Sequence, residues 1–290
     1  MRNLLAFDLG ASNGRAILGR FDGTRVTLHE LHRFENNYIE MNGVFYWDLP
    51  YLYQQLKLGF LAFRQANMGE LDCFGIDAWG VDYGLLDKNG NLLSNPRAYR
   101  YAREEDMSEV WKQLDFADIF ARTGIAAMNF NTIFQLMRRR CEDDAALQNA
   151  ETLLLMPDLL GYFLTGEKAS EYTNVTTTML YSPEKRDWDR EIICKLGLPE
   201  RIFTRIDYAG DLRGKLRSEL AKELGINQAA FAAVGTHDTA SAVAAIPGNG
   251  NFAFCSSGTW SLFGVETDRP VLERTCLLYT SPSPRDVEES

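Results

Sequence analysis

Basic residues are the minority charge in this chain. Lys and Arg number 30 against 40 Asp and Glu, a net charge of −10, so the positive field that nucleic-acid binding requires is missing. Nucleic acid is therefore not an expected partner. A nucleotide stays compatible, because backbone N–H groups and helix amino termini supply local positive potential whatever the net charge. Cysteine is sparse: positions 73, 141, 194, 255 and 276 contain no C-x-x-C pair for a zinc site or a redox couple, and reduced thiols are expected. Histidine is scarcer. His29 and His32 are near neighbours, but in a predicted strand an i, i+3 pair faces opposite sides, so no metal site is expected there. Long apolar runs are absent too. Residues 4–7 are interrupted at once by Asp8, too short for a signal segment or a membrane span, so a cytoplasmic protein with no membrane partner is expected. No internal repeat appears, and oligomeric state is not legible.

What is present is ordinary globular material: 290 residues, 46% hydrophobic and 24% charged, enough for one large or two smaller cores. Residues 4–9, 15–21 and 25–34 read as three strands of an antiparallel meander, with Asp22-Gly23 as turn chemistry between the last two. Residues 50–65 repeat at helical spacing, with Asp48 as cap and Pro50 in the first turn. Two more strands are predicted at 73–77 and 83–87, the second entering a turn at 88–91. Three strands, a helix and further strands is the order of the ribonuclease-H-like unit of actin-type ATPases. Residues 103–224 read as mostly helical, including a helix over 156–165 closed by Gly166. After Val234 the texture changes to Gly-Thr-His-Asp, a small-residue helix, and alternating strand residues over 252–265. The expected division is a first domain over 1–245, the start of a second over 246–275, and a tail over 276–290. That tail, with Ser-Pro-Ser-Pro, continues no periodicity and reads as non-native sequence.

Four segments carry chemistry. Asp8-Leu9-Gly10-Ala11-Ser12-Asn13-Gly14-Arg15 lies between two predicted strands. Its backbone N–H groups and the Ser12 hydroxyl could surround phosphate oxygens, with Asp8 holding Mg²⁺ through water; a plain hairpin turn fits the same residues. Residues 256–261, with Thr259, form a second small, hydroxyl-rich turn that could close on phosphate or merely be solvated. Asp238, between a strand and a helix, is either an N-cap or the base that accepts the proton of an attacking hydroxyl. His237 beside it reads as a supporting group. Asp77-Ala78-Trp79-Gly80-Val81-Asp82 joins an aromatic, a glycine and two carboxylates, a mixture that suits a sugar site and equally a buried core tryptophan.

In this order the segments resemble the FGGY carbohydrate kinases. DLGASNGR at 8–15, GIDAWGVDYGLLD at 75–87, FNTIFQL at 130–136, LLMPDLLGYFLTG at 154–166, EYTNVTTT at 171–178, HDTASAV at 237–243 and SSGTWSLFG at 256–264 carry the resemblance, and they span nearly all of the chain before Cys276. Gly-Ala-Ser in the first loop and His-Asp-Thr-Ala-Ser-Ala point, within the family, to the branch that acts on L-rhamnulose. The resemblance implies an actin-like ATPase fold and, with ATP and Mg²⁺, phosphoryl transfer to O1 of L-rhamnulose. It assigns Ala11, Ser12, Asn13, Gly14, Arg15 and Thr259 to the nucleotide, Gly80, His237, Asp238 and Thr239 to the sugar, and proton acceptance to Asp238. Two departures stand out: Tyr101 occupies a place where the family usually has aspartate, and family members are considerably longer. Rival readings are a kinase of another ketose such as L-fuculose or L-xylulose, a non-catalytic sugar-binding protein, and an actin-like filament protein. Retention of Asp8, Asp238 and both loops opposes the second, and the segments at 75–87 and 154–178 oppose the third.

Overall fold

The computed structural model describes residues 1–248, 252–257 and 261–273. β1 (Arg2–Leu9), β2 (Asn13–Phe21) and β3 (Val26–Glu35) form the expected antiparallel meander. Period-two alternation buries Leu5, Phe7 and Leu9 and leaves Leu4 and Ala6 exposed on the other face. The Asp22 carboxylate closes the β2–β3 turn by accepting from the N–H groups of Thr24 and Arg25, both at 2.8 Å. One expectation fails in β3. Glu30 stands opposite Ile17 and His32 opposite Ala16, so Leu31 is an extra residue and the alternation changes phase. His29 and His32 are thus registered against Leu18 and Ala16, two residues of one face, rather than on opposite faces; His32 is engaged with Gln55 at 2.8 Å.

A short hairpin, β4 (Tyr38–Met41) and β5 (Val44–Trp47), leads into α1 (Leu49–Ala66). Asp48 caps that helix by accepting from the Tyr51 N–H at 3.0 Å, and Asn67 ends it in the left-handed conformation. Its apolar stripe, Leu52, Leu56, Phe60 and Phe63, lies on the buried face of the meander, with the Phe60 ring edge-on to Phe7 at 5.0 Å. β6 (Cys73–Ala78) then runs parallel to β1. β7 (Tyr83–Leu86) leaves this sheet and ends in the predicted turn, where Asp87 accepts from the N–H groups of Asn89 and Asn91.

The stretch 103–224 is less helical than expected. It holds α2 (Glu104–Trp111), α3 (Phe116–Thr123), α4 (Thr132–Cys141), α5 (Ala145–Gln148), β8 (Thr152–Leu155), α6 (Met156–Thr165), β9 (Ser170–Glu171), α7 (Tyr172–Thr176), β10 (Tyr181–Ser182), β11 (Asp187–Trp188), α8 (Arg190–Lys195), β12 (Ile206–Asp207), β13 (Leu212–Lys215) and α9 (Ser218–Leu224). The strands are two to four residues long, too short to show an alternation along the sequence; β7 with β8 and β9 with β12 pair across distant positions, while β10 and β11 form a short local hairpin. α6 has the predicted bounds, with Gly166 left-handed after it.

β14 (Ala230–Ala232) joins β6 in parallel and β13 closes the edge, giving the sheet order β13-β14-β6-β1-β2-β3. That is the order of a ribonuclease-H-like unit. α10 (Asp238–Ala244) follows, and β15 (Ala253–Ser257) and β16 (Ser261–Val265) pair only with each other among the described residues. One core lies between the sheet and helices α1, α6 and α9; a second gathers α2, α3, α4, β7, β8 and α8. Four described cysteines, Cys73, Cys141, Cys194 and Cys255, are free thiols. Among the described residues no helix is long and apolar enough to cross a membrane. The tail 276–290 lies outside the described residues.

Candidate active site at the ends of the parallel strands

Strands that run parallel end on one side of a sheet, and the loops leaving them meet there, outside the carboxyl ends. β1 and β6 place Asp8 directly beside Asp77. The chain after β14 comes to the same edge, where the Ala78 N–H donates to the Thr236 carbonyl at 2.9 Å and Ala78 bridges to His237. The hairpin after Asp8, the segment Asp77–Gly80 and the turn 235–239 therefore lie side by side. The topology unites what the sequence separates by more than two hundred residues.

In the β1–β2 hairpin the Gly10 N–H donates to the Asn13 carbonyl at 2.8 Å. Buried Asn36 clamps the loop from behind, its side-chain amide donating to the Gly10 carbonyl at 2.8 Å and its backbone N–H to the Ser12 carbonyl at 3.0 Å. With these carbonyls tied back, Ser12 and Asn13 stay at the exposed tip. Arg15 forms an ion pair with Asp8, so the expected nucleotide cation and the expected metal carboxylate are partners. Gly14 is also a packing position: it is buried, and a Cβ there would stand 2.2 Å from the Phe34 ring. We expect Gly14→Ala to lower stability by about 1–3 kcal/mol, the range for an overpacked core. Adding Phe34→Leu should recover part of that in denaturant melts, which a purely phosphate-facing glycine would not do.

Burial pushes the Asp77 carboxyl up to about 8, and the charges of Asp8 and Asp238 push the same way. A carboxyl raised above its ordinary 3.8 holds its proton in the native state and releases it on unfolding, so its contribution is full at low pH and is lost as pH rises through about 8. Asp77→Asn should accordingly raise the melting temperature by an amount that grows from pH 5 to pH 8 and then levels off. A pH-independent change would refute the raised Asp77 carboxyl.

Further along the 77–82 segment, Trp79 and Asp82 are built into the core. Asp82 is fully buried and accepts from the Trp47 indole at 2.6 Å, the Trp79 indole at 2.9 Å, the Tyr99 N–H at 3.0 Å and the Gln135 amide at 3.2 Å. Burial raises its carboxyl to about 6 against those four bonds. Trp79 is 5% exposed, so of the two readings open in the sequence the core tryptophan holds. Gly80 is at the rim, and a Cβ on it would meet Thr177 Cγ2 at 2.9 Å. Val81 has φ +68°, an uncommon conformation for a β-branched residue, fixed by bonds from its N–H to Thr177 Oγ1 at 2.9 Å and to its carbonyl from the Thr132 hydroxyl at 2.7 Å.

Asp238 is not the cap of α10. His237 occupies the cap position, Asp238 is the first helical residue, and its carboxylate, 40% exposed, accepts from the Thr239 N–H at 2.6 Å and hydroxyl at 3.2 Å. The His237 imidazole is 3.6 Å from that carboxylate, and burial holds it below its ordinary range against the charges of Asp238 and Glu171. The sequence reading missed how α7 supports this turn: Glu171 accepts from Thr236, Thr173 from the His237 N–H. A run of hydroxyl residues at 173–178 was the only local signal. Tyr101 packs under the Arg138 guanidinium, 3.6 Å from its ring centre. Thr259 lies outside the described residues.

The chain matches, over residues 3–245, the model of the FGGY family of carbohydrate kinases, N-terminal domain. It is 43% identical to a rhamnulokinase of Bacteroides thetaiotaomicron over 93% of this chain and 56% of that protein, and 39% identical to a rhamnulokinase of Halalkalibacterium halodurans over 96% and 59%. Among solved structures it resembles a carbohydrate kinase from Novosphingobium aromaticivorans, with TM-score 0.76 and 25% identity over 92% of this chain and 57% of that one. A xylulose kinase from Lactobacillus acidophilus, at TM-score 0.71 and 16% identity over 82% and 48%, shares the fold. The chain spans about half the length of the curated relatives it matches. The sheet order, the site at its carboxyl ends and the match over 3–245 place this chain in the FGGY family of carbohydrate kinases, with an actin-like ATPase fold.

Proposed function

We propose that the complete protein transfers the γ-phosphoryl group of ATP to O1 of L-rhamnulose, giving rhamnulose 1-phosphate. The observation that carries this reading is the position of Asp238: exposed, at the head of α10, on the same sheet edge as the Asp8–Arg15 hairpin. In this reading Asp238 accepts the proton of the attacking hydroxyl while Gly80, His237 and Thr239 contact the sugar. A carboxylate is a weak base, which suits a loose transition state with late proton transfer. Backbone N–H groups of Ala11, Ser12 and Asn13 and the Arg15 side chain face the phosphates, with Thr259 contributing from the second loop. Gly14 belongs to the same phosphate-facing loop, and its lack of a side chain lets the hairpin pack against Phe34.

The carboxylates fit Mg²⁺. Among the described residues no group of three or more His, Cys, Asp or Glu side chains could hold a metal, but β1 and β6 set the Asp8 and Asp77 carboxyl groups side by side. Such a pair suits a hard cation that keeps its waters and completes its shell with substrate phosphates. Mg²⁺ held there would neutralise charge on the transferring phosphoryl group. We place the sugar-side domain at 1–245, the start of the second actin-like domain at 246–275 and a non-native tail at 276–290.

The test is ADP release by this chain completed with the carboxy-terminal half of the Bacteroides relative, across L-rhamnulose, L-fuculose and L-xylulose. L-Rhamnulose should give the highest kcat/KM. A higher value for another ketose would reassign the substrate, and sugar binding without ADP release would favour a sugar-binding protein.

A further inference from the structure

Glu171 is fully buried, and its hydrogen bonding is lopsided. Oε2 accepts four bonds: from the Thr173 N–H at 3.0 Å, the Thr173 hydroxyl at 2.5 Å, the Thr236 N–H at 3.0 Å and the Thr236 hydroxyl at 2.9 Å. Oε1 is buried with no hydrogen-bond partner among the described residues. Capping α7 needs only the bond from the Thr173 N–H, which a neutral Asn or Ser would supply. A buried carboxylate with one bare oxygen is a costly way to cap a five-residue helix. Its cost calls for another reason.

The reason lies in where the other bonds go. Thr236 immediately precedes His237 and Asp238, and both of its donors end on Glu171. The Thr173 hydroxyl donates to Glu171 and accepts from the His237 N–H at 3.2 Å, a second link from the same carboxylate to the same turn. On its other side the Thr236 carbonyl accepts from the Ala78 N–H at 2.9 Å, fixing the turn to the end of β6. Glu171 is itself anchored: its N–H donates to Asp158 at 3.2 Å, and Asp158 makes a buried ion pair with Arg213 at 2.5 Å. Thus a buried, anchored carboxyl group holds two consecutive backbone positions directly before Asp238, Thr236 by direct bonds and His237 through the Thr173 hydroxyl.

We propose that Glu171 is a positioning residue for phosphoryl transfer, setting the backbone of Thr236 and His237 and through it the place of the Asp238 carboxylate. This rests on the reading of Asp238 as proton acceptor. Misplacing a reacting group by about 1 Å can lower turnover on the order of 10²-fold. In the completed enzyme, Glu171→Ala should lower kcat by that order while the sugar KM stays within a few-fold, and amide exchange should speed up in a peptide covering 235–245. Glu171→Gln keeps an acceptor at the Oε2 position and should restore most of kcat. Thr173→Ala, which removes only the bridging hydroxyl, gives a smaller kcat loss and provides the test should Glu171→Ala not fold. The proposal is overturned if kcat per folded molecule survives in Glu171→Ala, or in Thr173→Ala where the former is unfolded, while Asp238→Asn abolishes turnover. If Asp238→Asn also keeps its turnover, the assignment of the proton acceptor is what fails.

Discussion

Replacing Asp238 by asparagine in the completed enzyme is expected to reduce turnover by ~10²-fold or more, the scale on which a general base contributes, and to leave sugar binding nearly intact. The substitution is nearly isosteric. The Asn side-chain carbonyl can still accept from the Thr239 N–H, which Asp238 holds at 2.6 Å, so the start of α10 should persist. What disappears is the ability to take a proton. Steady-state ADP release and direct sugar titration separate the two effects. Turnover near the parent's would remove Asp238 from the proton-acceptor role, and parallel loss of binding and turnover would point to a collapsed turn.

The second large effect concerns the 290-residue chain by itself, which is expected to show no detectable rhamnulose-dependent ADP release. Phosphoryl transfer depends on positioning and electrostatic stabilisation, which require both sides of the nucleotide cleft. The relatives are about twice as long. β15 and β16 form a two-stranded sheet on which Leu262, Phe263 and Val265 are exposed, Phe263 at 78%. A lone hairpin of this kind is marginal in water, and its open edges favour association with other chains. Joining the carboxy-terminal half of a rhamnulokinase relative should restore both turnover and monodispersity in size-exclusion chromatography. Turnover by the 290-residue chain would show that the site is complete without the second half.

Much of this architecture is written locally. The meander, α1 with its Asp48 cap and α6 with Gly166 after it follow from residues within a few positions of one another: an alternation, a cap, a left-handed glycine. The chemistry-bearing segments were legible for the same reason, since a glycine-rich turn and a carboxylate before a small-residue helix are local patterns.

Contacts between distant segments decided the rest. Whether Trp79 meets a sugar or a core depended on Trp47 and Tyr99, which share Asp82 with it. That Gly14 is also a packing position depended on Phe34 of β3, which occupies the space beside it. Asp77 took on its charge-crowded character only when parallel pairing set it next to Asp8 and the loop after β14 brought Asp238 near. Glu171 opens the segment EYTNVTTT, but nothing local marked its link to the turn before Asp238, because Thr236 lies sixty-five positions along the chain. The sequence alone determined which residue types were available and the local conformation of each segment, because propensity, capping and turn chemistry act over a few residues. Tertiary structure alone decided which carboxylates became crowded, buried or exposed, because desolvation and Coulomb interactions depend on distance in space and not on distance along the chain.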